Sequence, residues 1–165
     1  MIRLCNDEDF NSILVIINDA ARAYKSHIPE DCYQNPYFTD EYLRHELADC
    51  VVFWGYEIDN ELIGVMGIQD VNDVTLIRHA YVKTSFRKRG IGNALIKHLL
   101  DLNNRTKLIG TWKAATWAIS FYEKNGFAPV AESKNSLLFK KYWKISERQI
   151  ETSVVLADSS FIVKS

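Results

Sequence analysis

Three apolar runs, Val51–Ile58, Leu62–Asp70 and Val74–Val82, follow one another across gaps too short to hold a helix. Strands joined so closely fold back on their neighbours, and Asp59-Asn60 between the first two suits a tight hairpin turn. Val71–Asp73 makes the second turn. After Val82 the pattern changes. A basic loop ends at Gly90, then Ile91, Leu95, Leu99 and Leu102 recur at helical spacing, and Lys107–Trp112 is again strand-like. A strand–helix–strand crossover brings its two strands parallel. An antiparallel meander feeding such a crossover implies a mixed sheet whose faces are covered by helices.

The flanking segments extend this frame. Ile2 and Leu4 mark a short first strand. Asp7 or Asp9 then caps a helix through Phe10, Ile13, Leu14, Ile17 and Ala21. His27–Tyr37 holds two prolines and breaks the pattern, and Thr39 or Asp40 starts a second helix to about Ala48. Ala115–Asn125 reads as a helix closed by Gly126, where a left-handed residue is wanted. Phe127–Val130 is a strand, Asn135–Ile145 is helical, and Ile150–Ala157 is a last strand with Ile150, Val154 and Leu156 toward the core. The expectation is one α/β (α+β) domain over residues 1–165, with about seven mostly antiparallel strands and helices on both faces.

Composition narrows the function classes. Twenty Lys plus Arg balance 21 Asp plus Glu, for a net charge of −1. Nucleic-acid binding is driven mainly by phosphate neutralisation, so no nucleic-acid partner is expected. The longest aliphatic run, Ile13–Ile17, is far shorter than a bilayer span, so no membrane partner is expected either. Met1–Asp9 lacks the basic-then-apolar order of a secretory signal, which makes a cytoplasmic protein the expectation. Cys5, Cys32 and Cys50 are odd in number and scattered; the expectation is reduced, mostly buried thiols and no metal site, although His27 and His45 each precede a cysteine by five residues.

The most informative stretch runs from Tyr81 to Asn93. A strand ends, the basic residues Arg87, Lys88 and Arg89 follow, and a helix opens on Gly90-Ile91-Gly92. A helix start offers unpaired N–H groups and a positive dipole end, and glycine lets an anion come close. The glycines alone fit equally a phosphate cradle or a solvated basic turn. A P-loop needs Gly-Lys before Ser or Thr, and a dinucleotide fingerprint needs a small residue where Leu95 stands; neither is met.

Arg87-Lys88-Arg89-Gly90-Ile91-Gly92 resembles the Arg/Gln-x-x-Gly-x-Gly/Ala element of the GCN5-related N-acetyltransferase (GNAT) superfamily, and the run Ala118–Phe127 resembles that family's second motif. The resemblance covers roughly residues 1–157. It implies an acetyl-CoA-dependent N-acetyltransferase, acting on a primary amine of a small molecule or peptide by direct attack in a ternary complex, with no metal. It also implies that two central strands splay and that the cofactor wedges between them. Ala80, Tyr81 and Val82 would hold the pantetheine arm, and Arg87, Lys88, Arg89, Gly90, Ile91, Gly92 and Asn93 the diphosphate, with Lys124 nearby. Tyr122 is the general acid implied.

The sequence departs from the family in two places. Ala115 stands where many relatives have a cofactor-contacting Asn, and Gly110 and Leu76 fall near positions that carry a catalytic glutamate in some. His79 is the base candidate instead, since an imidazole titrates near neutrality. These departures leave a non-catalytic acyl-CoA-binding sensor as the alternative. Ile28–Leu43 is acidic and aromatic, which suits recognition of a cationic amine. Tyr24, Glu30, Asp31, Tyr33 and Trp112 are the acceptor-site candidates. Trp117, Tyr142 and Trp143 either shape the other wall or fill the core, and the aromatic-rich C-terminal third offers a homodimer surface.

Overall fold

The computed structural model describes residues 1–164. The sheet is mixed, as expected. Its strands are β1 (Ile2–Leu4), β2 (Val52–Ile58), β3 (Glu61–Val71), β4 (Val74–Val82), β5 (Thr106–Trp112), β6 (Ala128–Pro129) and β7 (Ser153–Ala157), in the spatial order β1-β2-β3-β4-β5-β7-β6. All neighbours are antiparallel except β4 and β5. Asp59 and Asn60 both adopt positive φ, 49° and 64°, as a two-residue hairpin that follows strand twist requires.

Helices α1 (Phe10–Ala21), α2 (Asp40–Ala48) and α5 (Glu132–Tyr142) cover one face. There Ile13, Ile16 and Ile17 of α1 meet Phe53 and Val65, while Leu138 and Phe139 of α5 meet Leu76, Leu108 and Val155. Helices α3 (Ile91–Leu100) and α4 (Thr116–Lys124) cover the other, with Leu95, Ile96 and Leu99 packed on Ile77 and Ile109 and joined by Tyr122. Full burial of each such aliphatic side chain contributes about 1.5–3 kcal/mol. The short α6 (Glu147–Glu151) and α7 (Ser159–Lys164) flank β7. Among the described residues no helix is long and apolar enough to cross a membrane.

Several local expectations are corrected. Ile150 is core, but it lies in α6, because Ser146 caps a helix by accepting from the Gln149 amide; β7 begins only at Ser153. Helix α5 starts three residues before Asn135, and the buried Asn135 side chain bonds Ser153 and Val155 of β7. Leu102 lies past the end of α3 and is exposed. Cys50 is exposed and Cys5 and Cys32 are half-buried, so none of the thiols is fully enclosed.

A candidate active site where the sheet splits

The parallel pairing of β4 with β5 runs from Val74↔Thr106 to Ile77↔Ile109 and stops. Beyond it β4 continues to Val82, while β5 stays paired to β7 through Trp112↔Ser153. The sheet therefore opens into a V. Its cause is a bulge: Val65 faces Tyr81 and Gly67 faces Arg78, so His79 and Ala80 together oppose Met66. His79 takes a left-handed φ of 52°, which bends the strand. Gly67 makes room for the bend, since a Cβ there would stand 3.0 Å from the Arg78 carbonyl oxygen.

One cavity, of about 370 Å³, opens on the α3–α4 face of the V. Ala80, Tyr81 and Val82 form one wall, Arg87, Lys88, Gly90, Ile91, Gly92 and Asn93 another, and Tyr122 a third. Gly90 caps α3 at φ 78°, with nothing within 4 Å of where a Cβ would sit. Among the described residues the amides of Lys88 through Asn93 have no hydrogen-bond partner, so the helix start offers a set of free donors. Gly92 serves packing: a Cβ there would lie 3.2 Å from the Phe121 ring, so its absence lets α4 approach α3.

The loop between β4 and α3 is tied to the end of α1. The Thr84 amide donates to Asp19 Oδ2 at 2.6 Å, and Arg87 Nη2 donates to the Ala20 carbonyl at 2.9 Å. Arg87 thus spends a donor on the scaffold, while the Arg89 guanidinium lies over the Phe86 ring. Arg89 and Lys124 are exposed outside the cavity lining. Tyr122 is buried between Phe121 and Phe127, and its hydroxyl has no hydrogen-bond partner among the described residues. Burial pushes this phenol well above its ordinary value, so it holds its proton at neutral pH.

A second cavity, of about 390 Å³, opens on the opposite face. Tyr24 and Trp112 line it, as do His79 and Arg78 from the bulged strand and Trp143 and Gln149 from the α5–α6 region. Tyr24 and Tyr81 line both cavities, with their hydroxyls 3.5 Å apart. Burial raises the Tyr24 phenol to about 12. The structure does not bring Glu30, Asp31 or Tyr33 into the lining. Asp31 is held by Arg148 on α6, and Tyr33 packs outside it on Tyr37. Nor are His79 and Tyr122 brought to one cavity; the Tyr24–Tyr81 pair stands between their two spaces.

Sequence reading missed Glu46. Its carboxylate, buried on α2, lies 3.0 Å from His79 Nε2 and 2.8 Å from Arg78 Nη1, and Arg78 also donates to Gln69. The one local hint is an acid three residues after Leu43, on the inward face of a short helix, and its partners lie more than thirty residues away. Burial pushes the His79 imidazole down more than the Glu46 bond lifts it. Burial would push Glu46 up, but His79 and Arg78 outweigh that and hold it below the usual carboxylate range. Neither Gly110 nor Leu76 offers a carboxylate here. A Cβ at Gly110 would stand 2.8 Å from the Phe139 ring, and Leu76 is fully buried.

These shifts give a signed expectation. An unfolded histidine takes up a proton near pH 6.5 and an unfolded glutamate near 4.3, whereas here both resist it. Acidification therefore favours the unfolded chain, with stability lost first below about pH 6.5 and further as Glu46 titrates. The denaturant midpoint should fall from pH 7 to pH 5, and fall less in His79→Gln; an unchanged midpoint contradicts the assignment. Glu46→Ala, which strips Arg78 of its countercharge, should cost about 3–5 kcal/mol at pH 7.

The comparisons with known proteins agree with this geometry. A family model of the acetyltransferase (GNAT) domain matches residues 49–129, the stretch from β2 to β6 that includes both motifs. The PaiA N-acetyltransferase of Thermoplasma acidophilum, solved in complex with coenzyme A, superposes with a TM-score of 0.71 at 16% identity, over 96% of this chain and 97% of that one. A GNAT-family acetyltransferase of Staphylococcus aureus Mu50 gives 0.70 at 17% identity, over 96% and 97%. The ribosomal-protein-S18-alanine N-acetyltransferase of Escherichia coli gives 0.68 at 16%, over 96% and 92%. At these identities the likeness speaks for the fold. The family match falls on the segment that builds the V and its glycine-opened helix, and the chain has the fold of the GNAT acetyltransferases.

Proposed function

We propose that the protein is an acetyl-CoA-dependent N-acetyltransferase that acetylates a primary amine by direct attack in a ternary complex. The observation that carries this reading is the pair of cavities on opposite faces of one opened strand seam, sharing Tyr24 and Tyr81. Such an arrangement lets a donor and an acceptor meet through the sheet without a covalent enzyme intermediate. The cavity on the α3–α4 face fits coenzyme A. Its free amides from Lys88 to Asn93, with Arg87, Lys88 and Arg89 at the rim, suit a diphosphate, and the unpaired edge of Ala80–Val82 suits an added strand-like arm. That the PaiA N-acetyltransferase of the same fold was solved in complex with coenzyme A supports this class of ligand.

Acetyl-CoA supplies an acetyl group activated as a thioester. The Val82 amide lies on the β4 edge that would face the acetyl carbonyl, where a donor lowers the barrier to attack. His79, held by Glu46 through Nε2, takes the proton that the amine loses as its nitrogen bonds the acetyl carbon. Tyr122, protonated and without another partner, returns one proton to the sulfur as its bond to that carbon breaks.

Incubation with acetyl-CoA, a thiol-reactive dye and a panel of primary amines tests the reading. Thiol release that depends on an amine is the expected result. Binding of acetyl-CoA with no amine-dependent release across the panel would favour a non-catalytic acyl-CoA sensor, a reading in keeping with Ala115, whose methyl is fully buried beside Ile28 and Trp112 and offers the cofactor no side-chain contact.

A further inference from the structure

The cavity on the α1–α2 face has a distinctive chemistry. Aromatic rings form much of its walls, where Tyr24, Tyr37, Tyr42, Tyr81, Trp112 and Trp143 contribute beside the polar Arg78, Lys144 and Gln149. Tyr24 and Tyr37 lie 5.4 Å apart between centroids. Among the described residues no Asp or Glu lines it. The acids around it are already spoken for: Glu46 by Arg78 and His79, Asp49 by Lys144 at 2.8 Å, and Asp31 by Arg148 at 2.9 and 3.1 Å. The walls are also stapled to one another. Arg148 joins α6 to the 30–32 turn, Lys144 reaches the end of α2, and Trp112 Nε1 donates to the Tyr37 hydroxyl at 2.9 Å.

We infer that the acceptor is a small primary amine carrying a flat aromatic body, rather than a polyamine or a polypeptide; the inference rests on the acetyltransferase reading above. A polyamine carries several separated charges and needs a row of free carboxylates, which these walls lack. An extended polypeptide needs a long trough with unpaired backbone groups along it, whereas this space, of about 390 Å³, has the size of a small-molecule pocket and its wall segments are tied to one another. Tyr and Trp rings instead complement another ring by offset or edge-on stacking, and their faces attract an ammonium where no carboxylate is free. The amine end would point past Tyr24 and Tyr81 toward the seam, with His79 on the wall it passes.

The test uses the intact protein with acetyl-CoA and four probes: 2-phenylethylamine, aniline, spermidine and a hexapeptide with a free N-terminal alanine. One of the two aromatic amines should exceed spermidine and the peptide in kcat/KM by about tenfold or more. Aniline is neutral at pH 7 and phenylethylamine is not, so which of them leads separates stacking alone from stacking with charge. Gln34 lies exposed at the rim. Gln34→Trp fills the space without disturbing the core, and should raise the KM of the better aromatic amine by about fivefold or more with the KM of acetyl-CoA unchanged. A preference for spermidine or the peptide overturns the inference, as does an aromatic-amine KM unmoved by Gln34→Trp. Thermal stabilisation by coenzyme A, measured in parallel, keeps the two readings apart. Stabilisation without acetylation of any probe overturns the acceptor class alone, whereas no stabilisation overturns the acetyltransferase reading beneath it.

Discussion

Gly90→Glu is expected to abolish the stabilisation that coenzyme A gives the protein. Gly90 sits at φ 78°, where an L side chain costs roughly 1–2 kcal/mol. No protein atom lies within 4 Å of its would-be Cβ, so the new side chain meets no steric obstacle from the fold itself. The glutamate would instead place its charge among the free amides that start α3, the seat proposed for a diphosphate. Gly90→Ala carries the same backbone cost without the charge and is the proper reference. At a coenzyme A concentration one hundred times Kd, the wild type gains about 2.7 kcal/mol; a hundredfold weaker Kd leaves about 0.4. The shift in melting temperature reads this directly. A Glu variant stabilised as well as the wild type would mean that the diphosphate lies elsewhere.

The second large effect is expected from Tyr122→Phe, a loss of about a hundredfold in kcat with acetyl-CoA affinity unchanged. The structure makes this variant unusually clean. The hydroxyl has no protein partner to orphan, and the ring contacts with Phe121 and Phe127 survive in phenylalanine, so the melting temperature should not fall. Because burial pushes the phenol up, the pH profile of the wild type should show no loss of activity from Tyr122 near the ordinary tyrosine value of about 10. An unchanged kcat, measured where chemistry limits turnover, would remove Tyr122 as the proton donor.

What sequence could reveal follows from how local each feature is. The hairpin at Asp59-Asn60, the left-handed Gly126 and the glycine-opened helix depend on neighbouring residues, and all three appear at their expected positions. The acceptor side is different. Acidic residues at 30 and 31 look like cation binders in a linear reading, yet Asp31 pairs with Arg148, 117 residues away. The Glu46–His79–Arg78 cluster is likewise assembled only when α2 packs on the bulged strand. Gly92 shows the same limit in miniature: adjacency to Gly90 suggests a role toward an anion, while its missing Cβ accommodates Phe121 from another helix. At Ile150 the apolar character was legible, but a helical cap at Ser146 overrode the strand pattern.

The clamp between the end of α1 and the Thr84–Arg87 loop has a thermodynamic consequence. Asp19 and Ala20 grip that loop, and three residues after Arg22's turn begins at Ala21 the chain reaches Tyr24, a wall of both spaces. One short segment therefore borders both the space proposed for the nucleotide and the space proposed for the amine. If seating the nucleotide stiffens it, the amine finds its wall already ordered, and linkage requires the amine to tighten the nucleotide by the same factor.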